Sequence, residues 1–311
     1  MNVKLKGYAL GAVAAASYGM NPLFALPLYD AGMSPDSVLF FRYLFAIPLL
    51  GVMLKARGRN FRLERRQVAP LFMLGLLVAL SSWTLFESYN YMAVGIASTL
   101  LFVYPILVSL IMVFVYKEKL TRQTLLCLGL AMTGIGLLYQ NGEGATLSFI
   151  GTLFVFGSSL SYALYIVGVN HPVLKDVATL KVTFYVLLFG ILLFVVRLLI
   201  GGGCSVPDRW YLWGCLLGLA VFPTAISFLC TTSAIQYIGS TPTAILGALE
   251  PVTAVCIGVL VFGESMTPRE GLGLTLIIVA VTLVIAGGKI TVHLIRFRKL
   301  FPRLPKLKKR L

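Results

Sequence analysis

Two charged side chains, Glu250 and Arg42, lie within stretches that are otherwise almost free of charge. Glu250 follows an uncharged run of 40 residues and directly precedes Pro251, and Arg42 is the one charge in residues 37–54. A charge at the centre of a bilayer costs at least about 2.5–3.5 kcal/mol, so such residues generally mark a ligand or ion pathway. A carboxylate beside a proline-opened helix can bind a cation or a proton. We therefore predict that Glu250 contacts a substrate or carries a coupling proton, with a protonated packing residue as the alternative.

Other polar groups in the apolar stretches complete a predicted binding pocket. Arg42 and Glu87 are expected at similar depth, where they would pair or jointly line the outer part of a pathway. Snorkelling of Arg42 to the headgroups and a water-boundary position for Glu87 are the alternatives. Aromatic and amide side chains recur three or four residues apart, on common helix faces, and such a pocket suits an amphipathic molecule such as an amino acid, although buried tyrosines are also ordinary packing residues. The predicted substrate-binding set is Tyr18, Asn21, Arg42, Trp83, Glu87, Tyr104, Tyr162, Tyr165 and Glu250, and the prolines predicted to open helices are Pro22, Pro105 and Pro251.

The elements that position these residues are predicted to be membrane-spanning helices. Hydrophobic residues make up 59% of the 311-residue chain and charged residues only 12%. Soluble domains carry about 25% charged residues, so most of this surface must face lipid. The segments are continuously apolar rather than alternating, and only helices or closed barrels satisfy their backbone in lipid, so we predict an all-α integral membrane protein.

Ten runs have the length of about 20 residues that a bilayer requires. The long uncharged stretches must fold back on themselves, near residues 90–95 and 237–242. The predicted spans cover residues 7–29, 37–54, two spans within 68–116, 124–140, 147–170, 178–200, two spans within 210–262, and 271–288.

Basic residues predict the orientation of these helices. With the N-terminus inside, 22 Lys and Arg fall on the cytoplasmic side and three on the other. Because cytoplasmic loops carry an excess of Lys and Arg, both termini are predicted to be cytoplasmic. The net charge of +15 therefore indicates membrane orientation rather than nucleic-acid binding. The tail 289–311, with nine basic residues and no acidic ones, is predicted to lie on anionic lipid; a regulatory or partner-binding arm is the alternative.

An internal repeat relates the two halves of the chain. A shift of 146 residues aligns Pro105 with Pro251 and Glu118 with Glu264, and a shift of 144 aligns Tyr18 with Tyr162. The chain thus divides into copies at 1–143 and 144–288, followed by the tail 289–311. Because five helices per copy is an odd number, the second copy is predicted to be inverted, with Glu118 cytoplasmic and Glu264 external. Inverted repeats are a device for alternating access, although duplication is also a simple way to build a large bundle.

The repeated pattern of an apolar residue, Pro, an apolar run and Glu-x-x-Thr resembles the drug/metabolite transporter superfamily, EamA type. The clearest copy runs from Leu249-Glu250-Pro251-Val252 to Gly263-Glu264, and the resemblance covers residues 5–288. It implies ten helices in two inverted repeats in a cell membrane, and export or uptake of small organic solutes such as amino acids. One departure is that Tyr104 stands where the second copy has Glu250.

These observations predict a secondary transporter, with export of amino acids or related compounds as the expected direction and substrate. A channel or facilitator is the alternative, and an intramembrane enzyme is less favoured because no Asp lies within a span. The sequence contains no nucleotide-binding loop, and its five cysteines and two histidines form no ligand motif, so we predict no cofactor and no metal. A proton is a candidate coupling ion, and the protein is expected to be a monomer or homodimer.

Overall fold

The protein is described by a computed structural model that covers residues 3–88, 90–91, 97, 100–138, 148–201, 203–261 and 267–300, with side chains as far as residue 285. Every regular element in this part of the chain is helical. Thirteen α-helices are described: α1 Val3–Gly19, α2 Asn21–Asp30, α3 Pro35–Ala56, α4 Arg65–Ser88, α5 Tyr104–Tyr116, α6 Arg122–Leu138, α7 Phe149–Gly168, α8 Thr179–Ile200, α9 Trp210–Leu219, α10 Ser227–Ile238, α11 Ser240–Leu246, α12 Leu249–Val261 and α13 Pro268–Leu300.

Eight helical stretches in the described residues are long and apolar enough to cross a membrane. Three of them are broken spans: α1 with α2, α9 with α10, and α11 with α12. The apolar helix α5 is shorter, and α6 lies antiparallel to α13. The all-α membrane architecture predicted from composition is confirmed. The predicted turn at residues 90–95 and the residue Glu264 lie largely or wholly outside the described residues, whereas the other predicted turn is found at Gly239.

The two ends of the bundle are named here after one glycine in each. The Gly32 end carries the connection between α2 and α3 and that between α8 and α9. The Gly58 end carries the connection between α3 and α4 and that between α7 and α8. Both glycines have positive φ, 80° at Gly32 and 63° at Gly58, which lets the chain turn sharply after a helix.

Proline and backbone geometry explain the three broken spans. The π-helical turn Ala220–Ile226 joins α9 to α10 around Pro223. Because Pro223 has no N–H, the Leu219 carbonyl lacks its usual donor and accepts the Thr224 hydroxyl instead, at 2.8 Å. Pro251 has the same effect on α11 and α12, where the Gly247 carbonyl accepts the N–H of Glu250 at 2.9 Å.

The two halves of the bundle are inverted relative to each other. The second helices of the two copies, α3 and α8, pack antiparallel, since Asp36 contacts Arg197 near one end and Gly51 approaches Phe184 near the other. The first helix of each copy packs against the third span of the other, α1 on α10 and α7 on α4. Corresponding hydrogen bonds mark these two contacts: Ser227 Oγ donates to the Ala14 carbonyl, and Ser158 Oγ donates to the Ser81 carbonyl.

Buried apolar side chains form one main core and a separate core at the Gly32 end. The main core runs through α1, α3 to α8 and α10 to α13. The second core is built by α2, α9 and the first turns of α3, from Leu28, Met33, Val38, Phe41, Leu212, Leu216 and Leu219. The breaks at Met20 and at the π-helical turn therefore separate two packed units.

Candidate functional site

A cavity of about 260 Å³ lies between the two halves, on the Gly32 side of Glu250. Its walls come from the end of α1, from α2, the first half of α3, the second half of α4, the residues before α5, the last residue of α9, and α12. Most lining groups are apolar, and the charged ones are Arg42 and Glu250. The residues that line it are Tyr18, Gly19, Asn21, Pro22, Ala25, Leu26, Tyr29, Val38, Leu39, Arg42, Ser82, Leu85, Phe86, Leu101, Phe102, Leu219, Glu250, Pro251 and Ala254.

Arg42 is only 5% exposed and is held by both broken spans next to it. Its Nη1 donates to Asn21 Oδ1 at 3.3 Å, and its Nη2 donates to the Pro223 carbonyl at 3.1 Å. Its Nε donates to Thr224 Oγ1 at 2.5 Å. The guanidinium also lies 5.3 Å from the centre of the Tyr18 ring, within cation–π range. These contacts offset the cost of burying the charge, so Arg42 lies at the cavity wall rather than snorkelling to the surface.

Glu250 lies at the start of α12, where the helix break aims its side chain toward the cavity. Gly19 permits this arrangement, because a Cβ there would collide with the Glu250 carbonyl, so α1 and α12 cross in close contact. No described side chain donates a hydrogen bond to the carboxylate of Glu250, and no ion pair within 4.0 Å joins it to Arg42 in the described structure. The carboxylate is therefore available to a ligand.

Two small voids of about 20 Å³ each lie on the Gly58 side of Glu250, and three tyrosines surround them, of which Tyr18 also lines the cavity. Tyr18, Tyr104 and Tyr162 border both voids, together with hydroxyl groups of α4 and α10. Each void is large enough for about one water molecule. The Tyr104 and Tyr162 rings meet edge to face at 4.9 Å, and the Tyr104 hydroxyl donates to the Ala244 carbonyl at 3.4 Å. The space between Glu250 and the Gly58 end is thus closed by packing.

Five of the predicted binding residues do not line the cavity. Tyr104 and Tyr162 border the two small voids instead, and Trp83, Glu87 and Tyr165 lie elsewhere. Trp83 and Glu87 are on another face of α4, where the Arg197 guanidinium lies 4.7 Å from the Trp83 ring centre and 3.9 Å from Glu87. The predicted pair between Arg42 and Glu87 is wrong, since Arg42 bonds to α2 and the π-helical turn and Glu87 contacts Arg197. Tyr165 is fully buried in the main core and shares a 3.4 Å hydrogen bond with Thr232.

The predicted helix-opening prolines all lie in the first turn of a helix, and two of the three line the cavity. Pro22 and Pro251 line the cavity and lie in the first turns of α2 and α12. Pro105 is buried at the start of α5, and the Leu101 carbonyl that it leaves without an N–H donor accepts the Ser159 hydroxyl at 3.0 Å. Each proline therefore starts a helix, and the second half of the chain adds Pro223.

Neither the apolar wall of the cavity nor two of the three acceptors of Arg42, the Pro223 carbonyl and the Thr224 hydroxyl, were predicted from the sequence. Pro223 and Thr224 carried a signal, because a proline in the middle of a span frees a carbonyl and commonly marks a functional bend. Ser82, Phe86 and Phe102 carried none, since they resemble any other residues of an apolar helix. No group of three His, Cys, Asp or Glu side chains in the described structure could hold a metal ion.

Comparison with known proteins accounts for this architecture. The model of the EamA-like transporter family matches residues 5–140 and again residues 149–286. The chain belongs to the EamA-like transporter family. It is therefore a member of the drug/metabolite transporter superfamily and a multi-pass membrane transporter, built from the two repeats that the sequence predicted.

Relatives of this EamA-like chain extend over most of its length. An uncharacterized transporter of Archaeoglobus fulgidus is 29% identical over 245 residues, which are 79% of this chain and 83% of the relative. The uncharacterized transporter YyaM of Bacillus subtilis is 24% identical, over 83% of this chain and 87% of its own. Protein LicB of Haemophilus influenzae is 24% identical, over 92% and 97%. A solved crystal structure with a TM-score of 0.74 and 18% identity covers 89% of this chain and 95% of its own, and shares the fold.

Proposed function

We propose that this EamA-like protein is a secondary transporter of small zwitterionic metabolites, of which amino acids are the leading class. The observation that carries the proposal is that a fixed cation, Arg42, and an available carboxylate, Glu250, both lie on the wall of a mostly apolar cavity. Arg42 suits a substrate carboxylate, because a guanidinium presents several N–H donors in one plane. Glu250 suits an ammonium group, and the apolar wall suits an aliphatic or aromatic side chain.

Alternating access is the mechanism that the inverted repeats favour. The cavity lies on the Gly32 side of Glu250, and the Gly58 side is filled by tyrosines in the described structure. A pathway closed on one side of its binding site is typical of a carrier and unlike an open channel. We assign residues 1–143 and 144–288 to the two copies that rock against each other around this site.

Orientation follows from the distribution of basic residues. We propose that the Gly58 end and both termini are cytoplasmic in a plasma or inner membrane, because 22 Lys and Arg fall on that side and three on the other. The Gly32 end is then external and the cavity faces outward. The helix α13 continues to Leu300, well past the uncharged run that ends at Gly288, and we propose that the basic tail 289–311 lies on anionic lipid.

Coupling to protons is proposed through Glu250. Its carboxylate can exchange a proton for the substrate ammonium, so proton and substrate would compete for one site. Export is the proposed direction, driven by inward proton movement. We propose no catalytic role for any residue. We also propose that the protein is a monomer or homodimer, and this proposal rests on no particular contact in the described structure.

Flux into proteoliposomes tests this function. Radiolabelled amino acids and organic cations are screened with and without an imposed pH gradient, using the wild type, Glu250→Gln, and Glu64→Gln as the matched control. Glu64 is an exposed carboxylate on the connection between α3 and α4, where it contacts Arg66. We expect pH-dependent flux of zwitterions in the wild type and the control, and its loss in Glu250→Gln. Flux in Glu250→Gln that is undiminished and still pH-dependent would remove Glu250 from the mechanism.

A further inference from the structure

The helices α2 and α9 form a packed unit at the Gly32 end, which we name the flap. Phe24 of α2 stacks on Phe222 of the π-helical turn with ring centres 5.9 Å apart, and its ring leaves no room for a side chain at Gly218. Leu28 of α2 and Leu216 of α9 are completely buried in the second core. The flap thus has its own hydrophobic contacts, beyond the points where both spans are broken.

Both breaks lie within hydrogen-bonding distance of Arg42. Asn21 is the first residue of α2, and it accepts from Nη1. Pro223 and Thr224 belong to the π-helical turn and accept from Nη2 and Nε. Thr224 in turn donates to the carbonyl of Leu219, the last residue of α9. One guanidinium on α3 therefore holds the inner ends of both flap helices.

The flap belongs to the two broken spans α1–α2 and α9–α10, which pack against each other. The equivalent spans in the repeat, α7 and α4, also pack against each other but have no such break. The helix α7 runs without interruption over Phe149–Gly168, and α4 does so over Arg65–Ser88. The residue 144 positions after Asn21 is Tyr165, whose hydroxyl contacts Thr232 and no charged group among the residues that the structure describes. The arrangement of two bends and one arginine is therefore specific to the spans that form the flap and does not follow from the repeat alone.

We propose that Arg42 is a positioning residue that pins the flap open, and that an anionic group bound in the cavity competes for the same guanidinium and releases the flap. A guanidinium has five N–H donors, and Arg42 uses three of its nitrogens on the flap hinges while facing the cavity. Release lets α2 pivot about Met20 toward α4 and narrow the cavity. Tyr29 of α2 and Phe86 of α4 already meet edge to face at 6.1 Å across it.

We call the two breaks, at Met20 and at the π-helical turn, the hinge. The hinge is tested by distance measurements between spin labels in a variant without cysteines. The Asp30/Asn90 pair measures the distance between the flap and the end of α4. The Asp30/Trp210 pair measures a distance within the flap, and the Asn90/Ile200 pair measures a distance within the rest of the bundle. Without any ligand, Thr224→Val removes the acceptor of Arg42 Nε and is expected to broaden the Asp30/Asn90 distribution toward shorter distances. The other two pairs should keep their wild-type distributions.

Thr232→Val is the matched control. It also removes a buried hydroxyl from the same span, but this hydroxyl lies in α10, beyond the π-helical turn, and bonds to Thr183 rather than to Arg42. It should leave all three distributions unchanged. Arg42→Lys is a second test variant, since one ammonium cannot serve three separated acceptors, and it should reproduce the effect of Thr224→Val. Unchanged distances in both variants, or equal changes in all three label pairs, would overturn the proposal.

Titration with L-leucine and L-phenylalanine separates this inference from the proposed function, on which it rests only for the identity of the anion. The wild type should show the same Asp30/Asn90 shortening when a zwitterion binds. If Thr224→Val shifts the distance and neither amino acid does, the hinge stands and the proposed substrate class does not. If the amino acids are transported but neither hinge variant moves the flap, the proposed function stands and the hinge is refuted.

Discussion

Glu250 and Tyr104 occupy equivalent positions in the two copies, each directly before the proline in the first turn of a helix, yet their surroundings are opposite. Glu250 faces a cavity of about 260 Å³. Tyr104 is 3% exposed, and its ring packs against Tyr162. The duplicated backbone therefore provides two similar spaces between helices. The space around Glu250 is open and charged, and we call it the open wedge. The space around Tyr104 is filled with aromatic rings, and we call it the filled wedge.

The same contrast extends to the neighbouring helices. In the open wedge, Arg42 binds Asn21 and the π-helical turn. In the filled wedge, Thr183 and Tyr165 share hydrogen bonds with Thr232 at 3.3 and 3.4 Å, and none of these groups is charged. We therefore expect the open wedge, whose polar groups come from both copies, to contact the substrate, and the filled wedge to remain a neutral seal. Substitutions in the open wedge should therefore reduce transport, whereas substitutions in the filled wedge should reduce the stability of the protein.

The largest effect is expected when the charge in the open wedge is removed. Arg42→Gln loses a cation and its fixed hydrogen bonds, and with about 1.5–3 kcal/mol for a bond to a charged group, transport should fall by about 10- to 100-fold or more. Arg209→Gln, at the exposed start of α9, is the control and should transport within about twofold of the wild type. Equal transport by the two variants, measured as initial flux per folded protein, would contradict the assignment of charge to the open wedge.

The filled wedge is expected to respond through stability. A Cβ at Gly247 would collide with the Tyr104 hydroxyl, so Gly247→Ala should lower the free energy of unfolding by about 1–3 kcal/mol. Adding Tyr104→Phe removes the colliding oxygen and should recover part of the loss. Thermal unfolding in detergent, followed by size-exclusion fluorescence, measures both variants.

Gly157→Ala is the control for that experiment, because within the described residues no atom outside its own stretch of helix lies within 4 Å of the position where its Cβ would be. Its unfolding temperature should match that of the wild type. If Tyr104→Phe gives no recovery in the Gly247→Ala background, the contact between α5 and α11 is not what closes the filled wedge.

The fold could be predicted much further than the site, for a physical reason. Span positions follow from the cost of exposing charge or bare backbone to lipid, and this cost is visible in every apolar run. Inversion follows from Pro105, Pro251 and an odd number of helices. Helical spacing shows which side chains share a face but not which way the face points, so Trp83 and Glu87 were grouped with a cavity that they do not line.

The neighbours of a buried charge are equally hidden in the sequence. Arg42 was recognisable as an intramembrane charge, but its acceptors are 21 residues before it and about 180 residues after it. Only the packing of α3 between two broken spans brings them together. Pro223 was the available clue, because a proline in the middle of a span requires its freed carbonyl and bent backbone to find other partners.

A moderate effect is expected from the hydroxyl groups of the filled wedge. Tyr165→Phe leaves the ring in place and removes a 3.4 Å hydrogen bond, so the free energy of unfolding should fall by about 0.5–1.5 kcal/mol. Transport should stay within about twofold of the wild type, since no charge is lost. A drop as large as that of Arg42→Gln would show that the filled wedge also contacts the substrate.

The smallest effect is expected at the ion pair that joins the two copies near the Gly32 end, where Asp36 of α3 contacts Arg197 of α8 at 3.0 Å. The opposite end has no charge pair between these helices in the described structure; Lys181 donates there to the Arg62 carbonyl. In a double-mutant cycle, Asp36→Asn and Arg197→Gln should show a coupling energy of about 0.5–1 kcal/mol in unfolding, because both groups are partly exposed. Raising the salt concentration should reduce this coupling, since exposed ion pairs are screened. The destabilisation caused by Lys181→Met should change little with salt, because its acceptor is uncharged. A coupling that persists in high salt would mean that the direct hydrogen bond between Arg197 and Asp36, rather than screened charge, holds the copies together here.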